Sequence, residues 1–519
     1  MSHRVAGHRI AIRSKRMLEI MVEVAPFLPI FWIALLVCPS SVAQEEHDHG
    51  TPEKLGTVSF PISCSPAEQV RFNRGLALLH SFAYSAAEST FRTVAKDDPS
   101  CAMAHWGIAM TYFHQLWEPP ILPATVSLGK EEIERARMIG SGSEFERRLV
   151  ETLALIYVND SELPYSTRAS NYERATCELA ADDRRSVETQ VFCALALLAN
   201  ASPLDKAHAR QKSAAAMLEP LWRVYPEHPG IAHYLIHAYD NEELAHKGLP
   251  AARAYSLIAQ SAPHALHMPS HIFTRLGLWQ DSINSNLAAR KAAHEQGDIG
   301  EELHAMDYLV YAYLQSGRDT AAAELVQELG NMPPRNSADF KIGYATTAIP
   351  VRYAVERGKW QDAATISDPA GVPLHVVAIA AWARGLGLAR SGRLQQAQRE
   401  IIHLQDVEAR LRAAGNQYWA AQTSILVREV LAWSAEGARK QDDAIRLMRE
   451  AADDEDAVEK LPVTPGPIVP AREQLGSLLL QQDRPCLAQK EFTKSLELAP
   501  GRRGAIQGGA RAAELCKSE

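Results

Sequence analysis

The sequence predicts an all-α protein, a helical-hairpin solenoid interrupted into two or three stretches. Three observations lead there. Small residues recur at fixed offsets around a Leu and a Phe, as in RFNRGLALLHSFAYSAAESTFRTVAKDDP from Arg71 and again around Gly476. Glycines at Gly277, Gly317, Gly358 and Gly392 punctuate the middle of the chain just ahead of helix-forming stretches. The chain is 46% hydrophobic but only 7% aromatic and is rich in alanine, which favours closely packed helices over sheets. At 519 residues it exceeds one small core. A formal charge of −8, with no basic block after the N-terminal region, argues against nucleic acid as a partner.

Residues 1–43 read as a signal peptide. Arg4, Arg9, Arg13, Lys15 and Arg16 form a basic start, Ala25 to Val37 an apolar run of signal length, and Ser41-Val42-Ala43 a small-x-small cleavage pattern. The expected location is periplasmic or secreted, with no stable membrane span after cleavage. Residues 44–60 are polar and Gly/Pro-punctuated, which predicts a flexible leader. Its His47-Asp48-His49 tract is read as incidental.

Residues 61–200 are expected to hold N-terminal helical repeats. Gly75 and Ala87 let two helices of a hairpin approach, Leu78 and Phe91 fill their contact, and Pro99 ends the second helix. Residues 201–460 form the central solenoid. Its turns are marked by Gly277 with Ser282, Gly317 with Ala322, Gly358 with Ala363 and Gly392 with Ala397. Asn241 to Pro250 is expected to lengthen one turn. Residues 461–470 (LPVTPGPIVP) read as an extended Pro-rich linker. Residues 471–519 hold the last unit, with Gly476, Leu479, Ala488, Phe492 and Pro500, and a capping helix from Ala505 to Leu515.

These recurring offsets resemble the tetratricopeptide-repeat family, whose unit runs roughly 34 residues, over most of the chain after the signal. The resemblance implies that the first helix of each hairpin lines a concave face and carries ligand contacts. On that register His264, His267, His271 and Thr274 share the face, as do His304, Asp307 and Tyr311, and His233, His237 and Asp240. Trp106, Met110, Arg352 and Trp382 fall on the same surface, with His80 and His114 beside it. Trp279 and Trp360 occupy packing positions. Helical-repeat geometry also favours local pairing of the six cysteines after Cys38: Cys64–Cys101, Cys177–Cys193 and Cys486–Cys516. Buried free thiols are the other reading.

The His233/His237 and His267/His271 pairs stand four residues apart, which puts both rings of a pair on one helix face, Cβ atoms roughly 5–6 Å apart. Three uses stay open. The rings can form a buried hydrogen-bonded network. With Asp240 or Asp307 as oxygen ligand or supporting acceptor, His233, His237, His267 and His271 can hold a first-row transition metal (zinc, copper or iron). Or the groove, through His264, His304, Tyr311, Trp106, Met110, Arg352 and Trp382, can bind a peptide or ligand. The sequence-level reading puts first an exported scaffold binding a protein or peptide of the cell envelope. The alternative is a metal-binding protein, which includes a metal-dependent enzyme. No His-Glu-x-x-His, phosphate-binding glycine loop, nucleophile elbow or haem-attachment motif is present, and no catalytic residue is identifiable by spacing.

Overall fold

A computed structural model describes residues 53–116, 121–140, 142–333, 335–461 and 463–518. The signal reading, the first part of the leader and its His47-Asp48-His49 tract lie outside the described residues. Helices and turns account for the described structure, with no strand among them. None of these helices is long and apolar enough to cross a membrane.

Each helix packs on its successor, and alternate helices stack: Ile299–Gln315 on Phe340–Glu356, and Leu374–Arg390 on Gln417–Gly437. This is the tetratricopeptide-like stack the offsets predict. Its two ends use the same packing device. A Cβ added at Gly75 or Gly107 would stand 2.6 Å from the ring of Phe91, so that ring is clamped between two bare backbones. Phe492 is clamped in the same way by Gly476 and Gly508. The turn glycines Gly277, Gly317, Gly358 and Gly392 have φ of 67°, 79°, 61° and 74°, a conformation that costs a Cβ-bearing residue about 1 kcal/mol or more.

Three disulfides join the neighbours expected to pair: Cys64–Cys101, Cys177–Cys193 and Cys486–Cys516, with Cα–Cα separations of 4.9, 4.8 and 4.8 Å. The last two each tie the two helices of one hairpin together, Tyr165–Asp182 to Val187–Ala199 and Pro485–Leu498 to Arg503–Cys516.

Several boundaries differ from expectation. One apolar core runs from Leu55 to Phe273, across the division placed at residue 200. A second links Tyr344 to Ala512, and a third, from Ile283 to Ile349, lies between them in sequence. Residues 53–60 are not a flexible leader: Leu55, Val58 and Phe60 are buried, and Thr57 N–H donates to the Glu227 carbonyl at 2.9 Å. The turn expected over Asn241 to Pro250 is shorter, Asp240 to Leu244, because the helix Ala245–Ile258 begins early and runs through Pro250. Asn241 shortens it by accepting the Leu244 N–H at 3.0 Å.

The Pro-rich linker is not a free spacer either. Val463 belongs to the first core and Ile468 to the second. Glu459 N–H donates to the Pro203 carbonyl at 2.7 Å, and Leu461 N–H to the Tyr418 hydroxyl at 3.2 Å. This strap thus ties the first core to the second. The C-terminal unit also returns to the middle of the chain. Trp279 Nε1–H donates to the Gly501 carbonyl at 2.9 Å, and the buried Arg502 meets Glu473 (2.9 Å), Glu356 (2.8 Å) and the Tyr311 hydroxyl (3.3 Å). Strap and return together bring residues 459–468 and 501–503 onto helices from the first and middle parts of the chain.

Each disulfide restricts the unfolded chain, by about 3–4 kcal/mol for loops of this length. Replacing Cys64 and Cys101 by alanine together is expected to lower the urea midpoint more than replacing Cys177 and Cys193, since the closed loops span 37 and 16 residues.

Candidate metal centre

Four helices, two of them short, supply the candidate ligands. The helix Pro229–Tyr239 is buried along its whole length, starts at a proline, and is capped by His228, whose Nδ1 accepts the Ile231 N–H at 3.3 Å. It carries His233 and His237. The pieces Pro263–His267 and Pro269–Arg275 each begin at a proline, where the missing N–H is not needed, and carry His264, His267 and His271. The helix Ile299–Gln315 is capped by Asp298, which accepts the Glu301 N–H at 3.0 Å, and carries His304.

Packing these segments brings six imidazoles into two trios. One nitrogen from each of His233, His237 and His264 lies within 4.8 Å of the others, and the same holds for His267, His271 and His304. In each trio the i, i+4 pair meets through its Nε2 atoms: His233 to His237 at 3.1 Å, His267 to His271 at 3.0 Å. All six rings are buried; the most exposed, His237, shows 9% of its surface.

The other nitrogens decide what those contacts are. His233 Nδ1 donates to the His80 carbonyl at 2.6 Å, and a carbonyl can only accept. His267 Nδ1 donates to Asn286 Oδ1 at 2.6 Å; the Asn286 amide nitrogen donates to the Ser282 carbonyl at 2.8 Å, which leaves Oδ1 as the acceptor. His271 Nδ1 donates to Asp240 Oδ2 at 3.0 Å, and His264 Nδ1 to Glu301 Oε2 at 3.3 Å. A neutral ring whose Nδ1 carries the proton presents a lone pair at Nε2. His267 and His271 therefore face each other lone pair to lone pair. At His233/His237 one tautomer permits an N–H···N bond, but it leaves the buried His237 Nδ1 without a hydrogen-bond partner.

Burial first, and then the neighbouring rings, hold His233, His237 and His267 well below the usual imidazole value. His304 is held there too, by burial against the opposing pull of Glu301. For His271 burial outweighs the Asp240 carboxylate and the pKa falls to about 4. The supporting carboxylates go the other way. Burial would raise Asp240, but Lys460 (2.7 Å) and Arg275 (2.9 Å) outweigh it and hold the carboxyl well below its usual range. Burial at Glu301 is likewise outweighed by Lys341, at 2.6 Å, and then by His264. Both carboxylates are thus ionised, neutralised by cations, and turned to the backs of the rings. The donors facing inward are all nitrogen.

An aromatic ring caps each trio. Phe82 packs on His233, His264 and His237, with ring centroids 4.5, 5.3 and 6.0 Å away. Its φ of 53° is one that bulky side chains avoid, at a cost of about 1–3 kcal/mol. Tyr308 packs on His267, His271 and His304 at 4.6, 5.2 and 5.4 Å, and its hydroxyl lies 3.4 Å from His271 Nε2. Burial pushes this phenol well above its usual value, so it keeps its proton.

A third cluster close by is of a different kind. Glu188 accepts from His80 Nε2 at 2.7 Å and from His228 Nε2 at 2.9 Å, while His80 Nδ1 accepts from the Tyr234 hydroxyl at 3.0 Å. Every ring nitrogen here has a complementary partner, so the cluster is complete without an ion. It fixes His80, whose carbonyl in turn orients His233.

The site residues expected from the sequence divide accordingly. His233, His237, His267 and His271 come together, and Asp240 stands behind His271 as an acceptor. Asp307 does not join them: its carboxylate forms a buried pair with Arg352, at 3.1 and 3.2 Å. That pair also removes Arg352 from the groove. His264 and His304, expected as groove residues, complete the trios. Trp106 and Met110 are buried in the N-terminal core, Trp106 between Phe60 and Phe192. His114 stacks on Tyr84 at 4.0 Å, and Tyr84 in turn on Phe82 at 5.3 Å, so it stands behind the cap of the first trio and not in it. Tyr311, Trp382 and Thr274 line a cavity of about 190 Å³ shared with Trp419, Tyr344 and the strap. The groove expected to take a partner segment is thus crossed by residues of the chain itself. Sequence reasoning missed Glu188, Asn286, Glu301, Tyr308, Phe82 and Lys460. Tyr308 had a signal, one turn beyond His304 on the same helix; Lys460, distant in the chain from Asp240, had none.

No family model and no curated protein matches the sequence. Among solved structures, the chain is similar to one in the crystal structure of the APC/C hetero-tetramer Cut9–Hcn1, at 12% identity over 86% of this chain and 76% of that one, TM-score 0.35. It is also similar to the P58(IPK) TPR domain, at 12% identity over 87% and 99%, TM-score 0.22. Neither likeness bears on the site.

The cavity wall generates a pH dependence. Glu429 accepts from Trp382 Nε1–H at 2.5 Å and Glu455 from the Ala471 N–H at 2.8 Å. Burial pushes Glu455 up to about 8; burial and then Glu455 push Glu429 well above its usual value. Through these two groups the folded state binds more protons than the unfolded chain between pH about 4.5 and 8, whereas the buried histidines, held below their usual value, act in the opposite sense below about pH 6.5. Urea midpoints are expected to rise from pH 5 towards about 6.5 and to decline from pH 7 to 8, and a Glu429→Gln/Glu455→Gln double variant to flatten the decline above pH 7.

Proposed function

We propose that the protein binds two first-row transition-metal ions, one in each imidazole trio, and that copper is the preferred ion. The observation that carries this reading is the His267/His271 pair, whose Nε2 lone pairs are aimed at each other at 3.0 Å by fixed acceptors behind both rings. Such a contact is repulsive unless a cation lies between the nitrogens. A proton bridges two nitrogens; the convergence of a third imidazole, His304, is the donor set of a metal. The acceptors behind the rings match the usual support of metal-bound histidine, which donates its outer N–H to a carboxylate, amide or carbonyl.

The donor set argues for the ion. Imidazole suits zinc, copper, iron and nickel, and copper(II) binds nitrogen donors most strongly in the divalent series. Iron sites of the histidine–carboxylate type need an oxygen ligand, and the nearby carboxylates are engaged by Lys460, Arg275 and Lys341. Three disulfides suit an oxidising compartment, in keeping with the exported reading of residues 1–43. The helical-repeat stack then acts as a rigid cage for metal, with its outer faces left for protein contacts.

Elemental analysis of protein loaded with copper and dialysed against a weak chelator is expected to give two ions per chain. His267→Ala/His271→Ala and His233→Ala/His237→Ala should each retain one. Wild-type protein that retains fewer than two would end the proposal, and retention of zinc against equimolar copper would end the preference. Asp240→Asn should weaken one site by about 10–100-fold. Glu188→Gln should leave the metal count unchanged, because its cluster is already satisfied by hydrogen bonds.

A further inference from the structure

Resting on that reading, we infer that the two trios form a single dinuclear centre that takes a small bridging anion of one to three atoms, such as hydroxide or azide, between its ions. Proximity is the first ground. Rings of the same trio stand 4.3 to 5.1 Å apart by centroid (His267–His304, His233–His237, His267–His271, His233–His264). Rings of different trios are only slightly farther: His237–His271 and His264–His267 are both 6.0 Å apart. His264 and His267 belong to one short helix, so the two sites are coupled through a single turn of backbone.

Coordination and charge are the second ground. Three protein nitrogens leave a four-coordinate ion with one position open. Two divalent ions on six neutral rings gather four positive charges in a buried space. The carboxylates nearest them are already matched, Asp240 by Lys460 and Arg275, Glu301 by Lys341, and Asp307 by Arg352. Among the described residues the nearby carboxylates are thus engaged, and an exogenous anion between the ions supplies both the bridge and the compensating charge. The walls set its size and hold it. Phe82 closes the first trio with an apolar ring, and Tyr308 offers a protonated hydroxyl 3.4 Å from His271 Nε2, within reach of a ligand on the same ion.

The test uses the full chain loaded with two equivalents of copper(II). Electron paramagnetic resonance is expected to detect far fewer spins than total copper, because ions sharing a bridge couple. Azide should bind at one per two coppers with a single charge-transfer band. Tyr308→Phe should keep both coppers and weaken azide by about tenfold or more, the loss of one hydrogen bond to a charged group. A full two-spin signal from two independent ions, or two independent azide events, overturns the dinuclear centre while the metal-binding reading stands. An unchanged azide affinity in Tyr308→Phe overturns the role given to that hydroxyl. Fewer than two bound coppers overturns both, and the metal count read on the same sample separates the cases.

Discussion

Two imidazole lone pairs held face to face inside a protein are the constraint from which the rest of this structure follows. Nothing in the bare rings stabilises that contact. It persists because Asn286 and Asp240 hold His267 and His271 from behind, at 2.6 and 3.0 Å, and because the helices that carry them are immobilised by packing. An unmet buried polar group costs about 1–3 kcal/mol, so a fold that builds this arrangement must find the compensation either elsewhere or in a bound cation. The neighbouring His80–Glu188–His228 cluster supplies the contrast within the same molecule. It shows the same residue types, equally buried, in an arrangement where each donor meets an acceptor.

Phe82 and Tyr308 lie directly on the trios, and the closure of the solenoid is built around them. An open array of hairpins would present the inward residues of its first helices to water. Here the strap at 458–470 and the return of the C-terminal unit onto Trp279, Gln315 and Tyr311 meet that wall. The strap also reaches the site electrically. Lys460 and Glu459 join Asp240 and Arg275 in one ion network, and Asp240 is the group that sets the direction of His271. A segment that reads as a linker is therefore part of the frame that aims a metal-binding ring.

What was legible in the sequence follows the range of the interactions. Hairpin offsets, turn glycines and the three cysteine pairs are short-range: the packing of Phe91 on Gly75 or of Phe492 on Gly476 is written within one repeat. The i, i+4 histidine pairs are local in the same sense, and the repeat register carried them to a common wall. The errors are long-range. Asp307 shares the helix face of His304, and only the arrival of Arg352 from the next stacked helix removes it from the donor set. Trp106 has the right register for a groove residue, but Phe60 and Phe192 bury it. Lys460 meets Asp240 across 220 residues of chain, and no local pattern records that meeting.

Phe82 carries the argument one step further. The positive φ of Phe82, 53°, is shared by turn residues elsewhere in the chain, Arg439 at 61° and Asp483 at 53°, so the conformation belongs to the hairpin turn and the aromatic side chain placed on it is what serves the trio. What the strained backbone achieves is placement. It lays an aromatic ring against His233, His237 and His264, and the same short turn supplies the His80 carbonyl that orients His233. Orientation and water exclusion for one trio thus come from the His80 carbonyl and Phe82 of one N-terminal turn together with Glu301, while the second trio draws them from Asn286, Asp240 and Tyr308. Two unrelated sets of supports converging on two equivalent donor sets is the pattern of a site held to a geometry, which a cluster buried only for packing would not need.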